Sequence, residues 1–508
     1  MNYILGIDLG TSGLKTVLFS ENGEKAASST VEYDLIQPQN GWAEQDPNAW
    51  YSATIATIKD VLAKSQVNPS NIKGVGISGQ MHGLVMLDKN GEVIRNAILW
   101  CDGRTTKQCQ EITEKVGKEK LIDITANPAL TGFTAGKILW VRENEPENYA
   151  KCETILLPKD YLRYKLTGKF GAEVSDASGT NLFDLKNRDW SDEILTILDL
   201  DKKMFPPMAE SADVAGSISE EASKITGLAQ STIVCYGAGD NAAAAIGTGV
   251  VSEGKAFTTI GTSGVVFAHS DKPQIDKLGR VHTFCSAVPN AYTVMSCTLS
   301  AGLALKWFRD NFCTSEEEEV AKLLDTDSYI LIDKGVDKIQ IGSDRLIFLP
   351  YLMGERSPIL NEKARGVFFG LSAIHTKYHM ARAIMEGVMF AQKHCLEVIN
   401  EMGVFPEQMY ACGGGGKSPI WRQMMADMYG ANVITNQNEE GPALGVAILA
   451  SVACGIFTDI PTACETLIAK KGEQAPIKEN SEKYAPYFEV YKSVYSNLKD
   501  DFESLSKI

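Results

Sequence analysis

Two stretches of this chain, about half its length apart, carry one local design. Residues 3–19 read YILGIDLGTSGLKTVLF: an apolar strand, a turn of glycine and small hydroxyls, then a second apolar strand. Residues 256–268 read AFTTIGTSGVVFA, with the same strand, Gly-Thr-Ser-Gly turn and strand. A hairpin tipped by Gly and Thr or Ser is a common turn, so either copy alone specifies little. Their recurrence specifies more. It predicts two lobes built on one plan, each offering a hairpin tip to a shared ligand.

Length agrees with two lobes. A chain of 508 residues exceeds one ordinary core, and domains of about 200–250 residues are expected. Basic and acidic counts of 49 and 64 give a net charge of −15. That balance argues against nucleic acid as a partner, because phosphodiester binding needs a basic face. A nucleotide is not excluded, since a nest of amides and one or two cations hold it. The eleven cysteines are scattered without a CxxC, and several, such as Cys101, Cys109, Cys235, Cys297 and Cys412, lie in or beside apolar runs. Reduced, mostly buried thiols are expected. No basic leader opens the chain, and no apolar run nears the roughly 20 residues of a membrane span. A cytoplasmic protein without membrane contact is the expectation.

Short apolar strands alternate with helices between the hairpins, which predicts a mixed α/β fold with helices on both sheet faces. Asp46-Pro47 opens a helix with Trp50, Ile55, Ile58 and Leu62 on one face. Strands are expected over 73–78, 84–88, 153–157 and 408–412. Helices are expected over 300–311, 377–402 and 441–454. The run Glu316-Glu317-Glu318-Glu319 reads as a solvated helix face, and the last ~50 residues as a charged helical appendage.

Two glycine motifs mislead. Gly74-Val75-Gly76-Ile77-Ser78-Gly79 satisfies GxGxxG, but its glycines lie within a strand and no helix begins there, as a dinucleotide fingerprint requires. Ala411 to Ser418 (ACGGGGKS) is a P-loop with alanine in place of the first glycine, and no convincing aspartate strand partners it. A glycine run before a helix still lets ribose and phosphates approach closely.

Asp8 ends a buried strand just before Gly10-Thr11-Ser12-Gly13. There it is positioned for a cation, while Thr11, Ser12 and the turn amides meet phosphate oxygens and Lys15 neutralises them. The blander reading is that Asp8 caps its own turn. The second tip, Gly261-Thr262-Ser263-Gly264, favours the phosphate reading, since two facing tips would clamp one triphosphate. Asp240, in Gly237-Ala238-Gly239-Asp240-Asn241, is either the N-cap of a tightly packed helix or the carboxylate that orients and deprotonates an acceptor hydroxyl. The small residues around it clear space for something to lie against that backbone.

With these residues in view, the chain resembles the FGGY carbohydrate kinases, in the superfamily of actin, hexokinase and Hsp70-type ATPases. The resemblance runs from the first hairpin to about residue 455. It rests on two family signatures, residues 133–144 (FTAGKILWVREN) and 366–386 (GVFFGLSAIHTKYHMARAIME). It rests also on stretches typical of the xylulose-phosphorylating members: GWAEQDPNAW, SGQMHGLVMLD, LLPKDYLRYKLTG, SDASGTNLFDL, FLPYLMGERSP and EEGPALGVAIL.

What the resemblance implies is a two-lobed actin-like ATPase fold with a duplicated core and a cleft site. The implied N-terminal lobe spans 1–246, the C-terminal lobe 247–455, and an extension 456–508. It implies ATP and Mg²⁺ as cofactors and a pentulose, D-xylulose first, as acceptor. It allows a homodimer. Asp240 matches the catalytic base and Asp8 the acid associated with Mg²⁺. Thr11, Ser12, Gly13 and Lys15 match the first phosphate loop, and Gly261 and Thr262 the second. Gly302 and Lys306 resemble a nucleotide-contacting helix, and Gly414, Gly415 and Ser418 the adenosine motif. Met81, His82, Trp100 and Asn241 match sugar-side positions. Glycerol kinases carry an Arg-Glu pair where Met81-His82 stands, which argues against glycerol. The alternatives are a kinase for ribulose or another ketose or polyol, and a non-catalytic nucleotide switch.

Overall fold

A computed structural model describes residues 1–508 apart from Thr314 and Glu439 and the side chains of residues 315–318. Of the expected solvated run, Glu316, Glu317 and Glu318 therefore lie outside the described side chains, while Glu319 is exposed.

The first hairpin is β1 (Tyr3–Leu9) and β2 (Gly13–Ser20), followed by β3 (Lys25–Glu32). Helix α1 (Pro47–Ser65) then leads to β4 (Ile72–Gly79). Further on come α2 (Thr134–Asn144), β5 (Val214–Ser217), β6 (Ile233–Cys235) and α3 (Asp240–Thr248). The second half opens with the hairpin β7 (Lys255–Ile260) and β8 (Gly264–Ser270), then β9 (His282–Cys285) and β10 (Tyr292–Thr298). Helices α4 (Gly302–Phe312), α5 (Ser328–Val336) and α6 (Lys377–Glu401) follow. The chain finishes with β11 (Gln408–Cys412), α7 (Pro419–Tyr429), β12 (Asn432–Asn436), α8 (Gly441–Ala453), β13 (Lys470–Gln474) and α9 (Lys478–Leu505).

The recurrence of the hairpin is a recurrence of topology. One sheet runs β5-β6-β4-β1-β2-β3 and the other β9-β10-β8-β7-β11-β12-β13. In each, the hairpin is antiparallel, and its first strand pairs in parallel with a later strand, β4 or β11. Parallel pairing requires a crossover, and α1 supplies it in the first half. Asp46 caps α1 by accepting from the Asn48 backbone N–H at 2.9 Å. The face α1 buries is Trp50, Ala53, Thr54, Thr57, Ile58 and Val61. Ile55 and Leu62, expected on it, are only half-buried.

Helix α8 joins the halves. It lies on the first sheet although it follows β12 of the second. A Cβ on Gly6 would stand 2.0 Å from the Ala443 carbonyl oxygen, and one on Gly76 2.0 Å from that of Val446. This accounts for the glycines of the false dinucleotide fingerprint: they admit a helix backbone. Helices α3 and α8 touch equally closely, where a Cβ on Gly247 would meet the Gly441 oxygen at 1.9 Å and one on Gly445 the Ala243 oxygen at 1.8 Å.

The C-terminal segment is more than an appendage. Strand β13 extends the second sheet, and α9 buries Tyr484, Phe488, Tyr491, Val494 and Phe502. Tyr491 and Tyr351 share a buried hydroxyl–hydroxyl hydrogen bond at 2.6 Å.

The helix pair makes a sharp prediction. Gly445→Ala should destabilise the protein by about 1–3 kcal/mol, the usual cost of overpacking. Gly441→Ala, whose Cβ would meet only the Ala244 methyl at 4.0 Å, should be nearly neutral. Equal chemical-denaturation midpoints for the two variants would contradict the packing described.

Candidate active site

Three adjacent parallel strands deliver the first half's functional residues to one place. Asp8 of β1 stands in register with Ser78 of β4, and Ala238 of a short strand flanks Ser78 from the other side. Asp8 and Asp240 therefore bracket the end of β4, and Gln80-Met81-His82 leave the sheet between them. Ligands of open α/β sheets bind at such carboxyl ends.

Ser78 Oγ donates to Asp8 Oδ1 at 3.0 Å. Burial raises the Asp8 carboxyl above its ordinary value, Ser78 and Lys15 oppose that rise, and Glu440 adds to it. Asp240 is the first helical residue of α3, and Gly239 occupies the cap position, so the expectation of an N-cap aspartate is corrected by one residue. Asp240 Oδ1 accepts from the Asn241 backbone N–H at 2.7 Å and from Asn241 Nδ2 at 3.0 Å. Burial, and then the Asp8 charge, push Asp240 up to about 7. A carboxylate titrating near neutrality is well matched to general-base work.

The first tip is braced from beneath. Gln45 Nε2 donates to the Thr11 carbonyl at 2.7 Å, and both Trp50 Nε1 and Gln80 Nε2 donate to Gln45 Oε1. Trp100 Nε1 donates to Thr11 Oγ1 at 2.9 Å while its ring remains 40% exposed. Trp100 thus ties its own loop to the first tip. Ser12 is exposed, and Gly13 packs against β3. Lys15, expected to face phosphate, forms an ion pair with Glu440, the residue capping α8, and Lys25 joins it at 3.1 Å.

The second tip is docked to α4: the Gly302 N–H donates to the Gly261 carbonyl at 2.7 Å, and the Ala301 N–H to that of Thr262 at 3.0 Å. A cavity of about 920 Å³ opens beside it and gathers Gly261, Thr262, Gly302, Lys306, Gly414, Gly415 and Ser418. Lys306 also pairs with Asp310 at 2.6 Å. Residues 413–418 form a turn against β7, where a Cβ on Gly415 would meet Ile260 Cβ at 2.5 Å, and Ser418 caps α7. Sequence reasoning missed the opposite wall, Tyr329, Ile330 and Asp333 on α5, because no motif marks an ordinary amphipathic helix as a ligand wall.

His82 holds a left-handed backbone, φ +67°, at a cost of about 1–3 kcal/mol. Its carbonyl accepts from Lys137 Nζ at 2.7 Å and Thr134 Oγ1 at 3.0 Å, and its Nδ1 donates to the Gly179 carbonyl at 2.7 Å. These bonds over-determine the turn, and they give the first family signature a task, since Thr134 and Lys137 belong to it. Burial, then the Lys137 charge, lower His82 to about 3, so the ring is neutral and its Nε2 is an acceptor. Met81 is buried against Gly239.

His282 of β9 was not anticipated. Its Nδ1 meets Asn127 Oδ1 at 2.9 Å, and Asn127 Nδ2 donates to the Thr283 and Thr125 carbonyls, so His282 Nδ1 carries the proton. Burial lowers His282 to about 4. Phe133 lies 4.5 Å from His82 and 5.8 Å from His282, ring centre to ring centre, and Phe284 lies 5.8 Å from His282. The second half thus supplies part of the wall beside His82 and Phe133. Only the pairing of one first-half residue with a strand two hundred residues on could have revealed it.

Two tips of glycine and hydroxyls, an acid pair at strand ends and a nucleotide-sized cavity define an ATP-dependent phosphotransferase of the two-lobed actin-like fold. Family comparison narrows this. The FGGY family of carbohydrate kinases matches with its N-terminal domain over residues 3–247 and its C-terminal domain over 256–454, and the chain belongs to that family. It is 41% identical over 500 residues to a xylulose kinase of Bacillus subtilis, covering 98% of each chain. To a xylulose kinase of Escherichia coli it is 38% identical, covering 97% of this chain and 99% of the other. Among solved structures, the ligand-bound xylulose kinase of Lactobacillus acidophilus superposes with a TM-score of 0.91 at 28% identity, covering 99% and 100%.

Asp240→Asn tests the site through two opposite signs. Turnover should fall about 10²–10⁴-fold, the usual loss for a general base. Stability should rise at pH 8. A folded-state value raised to about 7 contributes stability that is present below the unfolded value near 4 and lost as pH climbs through 7. The amide never ionises, so the variant should gain about 4 kcal/mol over the parent at pH 8 and well under about 1 kcal/mol at pH 4. Denaturation at the two pH values measures this, and a parallel pair of stability curves would refute the buried acid pair.

Proposed function

We propose that this protein catalyses phosphoryl transfer from ATP to D-xylulose, giving D-xylulose 5-phosphate and ADP. The observation that carries the mechanism is Asp240, raised to about 7 by burial and Asp8, at the strand ends beside the first hairpin. The xylulose kinase relatives, at 34–41% identity over nearly the whole chain, support the acceptor.

In this reading the ketose lies among His82, Trp100, Asp240 and Asn241, with its terminal hydroxyl at Asp240. The hydroxyl oxygen forms a bond to the γ-phosphorus, the bond from that phosphorus to the bridging oxygen breaks, and the hydroxyl proton passes to Asp240. Neutral imidazole Nε2 atoms accept from sugar hydroxyls, and aromatic faces cover its C–H surface. The amides of both tips, with Thr11 and Thr262, hold the phosphates in line.

Asp8 fits a magnesium ion held mainly by phosphate oxygens and water, since it offers one carboxylate and, among the described residues, no cluster of three ligating side chains exists. The ion would supply charge neutralisation at the phosphates. The lobes divide near residue 246 in this reading, with nucleotide on the C-terminal side. Ten free thiols, Cys313 left aside, and the need for ATP support a cytoplasmic setting. Among the described residues, no helix is long and apolar enough to cross a membrane.

Coupled ADP release across a panel of pentuloses, aldopentoses, hexuloses, gluconate and glycerol decides the acceptor. D-xylulose should give the highest kcat/KM, and a better rate with ribulose or gluconate would reassign the substrate. No sugar-dependent release at all would leave only the nucleotide switch. Asp8→Ala should abolish turnover while calorimetry still records D-xylulose binding. Loss of sugar binding in that variant would make Asp8 a structural turn residue.

A further inference from the structure

The cavity beside the second tip has one wall that neither hairpin nor glycine run explains. Helix α5 presents Tyr329, Ile330 and Asp333 to it, and the start of α7 presents Pro419 and Ile420. At Gly261 and Thr262 the cavity meets the tip. Asp337, Pro419 and Ile420 line it as well as a second cavity beyond, so this wall is the end removed from the phosphates. A volume of about 920 Å³ is ample for a nucleoside.

Among the acids of this wall, Asp333 is the one held in place by the opposite side. Ser418 Oγ donates to Asp333 Oδ2 at 2.6 Å, and the same hydroxyl accepts from the Trp421 N–H at 3.3 Å as the cap of α7. Asp327 is spent capping α5, accepting from the Tyr329 N–H at 2.8 Å, and Asp337 follows the helix end. Burial raises the Asp333 carboxyl and the Ser418 hydroxyl opposes that rise. The Ser418 bond uses one oxygen and leaves Oδ1 with no hydrogen bond to the described residues, on a half-buried side chain in the cavity wall.

We propose that Asp333 selects the base of the nucleotide, its Oδ1 accepting a hydrogen bond from the exocyclic amine of adenine. The proposal rests on the kinase reading and extends it to nucleotide choice. A carboxylate only accepts. It pairs with the 6-amino group of adenine, whereas the 6-carbonyl of guanine sets lone pairs against lone pairs. Tyr329, Ile330 and Ile420 supply apolar surface for the ring faces. Ser418, expected at the adenosine end, acts in this account through Asp333 by fixing its rotamer. The contrast holds where Asp333 faces the 6-position, since guanine's own donors, N1–H and the 2-amino group, lie further along the ring edge. In an adenine nucleotide the ribose hydroxyls are the other donors that a carboxylate could meet, so the test separates them.

Calorimetric titration of the full chain with ADP, GDP and 2′-deoxy-ADP reads the assignment without any turnover. The parent should bind ADP about 10–100-fold more tightly than GDP, the scale of one hydrogen bond to a charged group. It should bind 2′-deoxy-ADP nearly as well as ADP. In Asp333→Asn, whose amide can donate as well as accept, the ADP-to-GDP ratio should collapse to a few-fold. Ser418→Ala, which releases the carboxylate, should narrow the ratio partway and serves if the first variant fails to fold. Equal binding of ADP and GDP by the parent, or full discrimination in Asp333→Asn, overturns the proposal and leaves the kinase reading intact. A ratio lost only between ADP and 2′-deoxy-ADP overturns it in favour of the ribose. Failure of the parent to bind any nucleotide overturns both.

Discussion

The backbone contact between α3 and α8 sets the geometry on which the site depends. Side chains ordinarily keep helices 8–10 Å apart, but Gly247 and Gly445 let these two meet carbonyl to Cα, and Gly6 and Gly76 let α8 settle equally closely on the first sheet. Helix α3 begins with Asp240, and Glu440 at the N-terminal end of α8 pairs with Lys15 of the first hairpin. One tightly packed pair therefore fixes Asp240, the first tip and the start of α8 relative to one another. The ion pairs at its rim are half-exposed and contribute little by themselves. Glycine at the crossing decides the arrangement.

Electrostatics at the cleft works against stability and in favour of chemistry. Asp8 and Asp240 share a dehydrated region, burial raises both carboxyls, and the Asp8 charge raises Asp240 further. Such a pair persists because the surrounding strands over-determine it: Ser78 on one side, the Asn241 amide on the other. A positive charge brought beside either carboxylate would favour its ionised form and offset that cost.

The duplicated hairpins, the mixed α/β class and the glycine and acid runs at the strand ends were legible in the sequence because each is a local signal. Gly-Thr-Ser-Gly, the run around Asp240 and the glycines at 413–416 are each read within a few residues. What stayed hidden depends on contacts between distant segments. The buried face of α1 includes Thr54 and Thr57, whose hydroxyls bond the carbonyls of Trp50 and Ala53, so hydrophobic spacing alone chose the wrong neighbours. The GxGxxG glycines looked like ligand contacts because a glycine that admits a helix and one that admits a pyrophosphate are identical in sequence. The α5 wall and His282 carry no motif at all.

His82 and His282 show how the two halves meet beside Phe133 and Phe284. Each ring is neutral, each has its Nδ1 proton committed to a carbonyl or amide oxygen, and each is packed against Phe133 or Phe284. One belongs to the turn after β4 and the other to β9 of the opposite sheet. A neutral polyhydroxy molecule between them would bond to both halves at once, because hydroxyls supply the donors that two imidazole acceptors lack. Strand β9 is joined through β10 and β8 to the second tip, so His282 and the Gly261-Thr262 turn belong to one continuous hydrogen-bonded sheet.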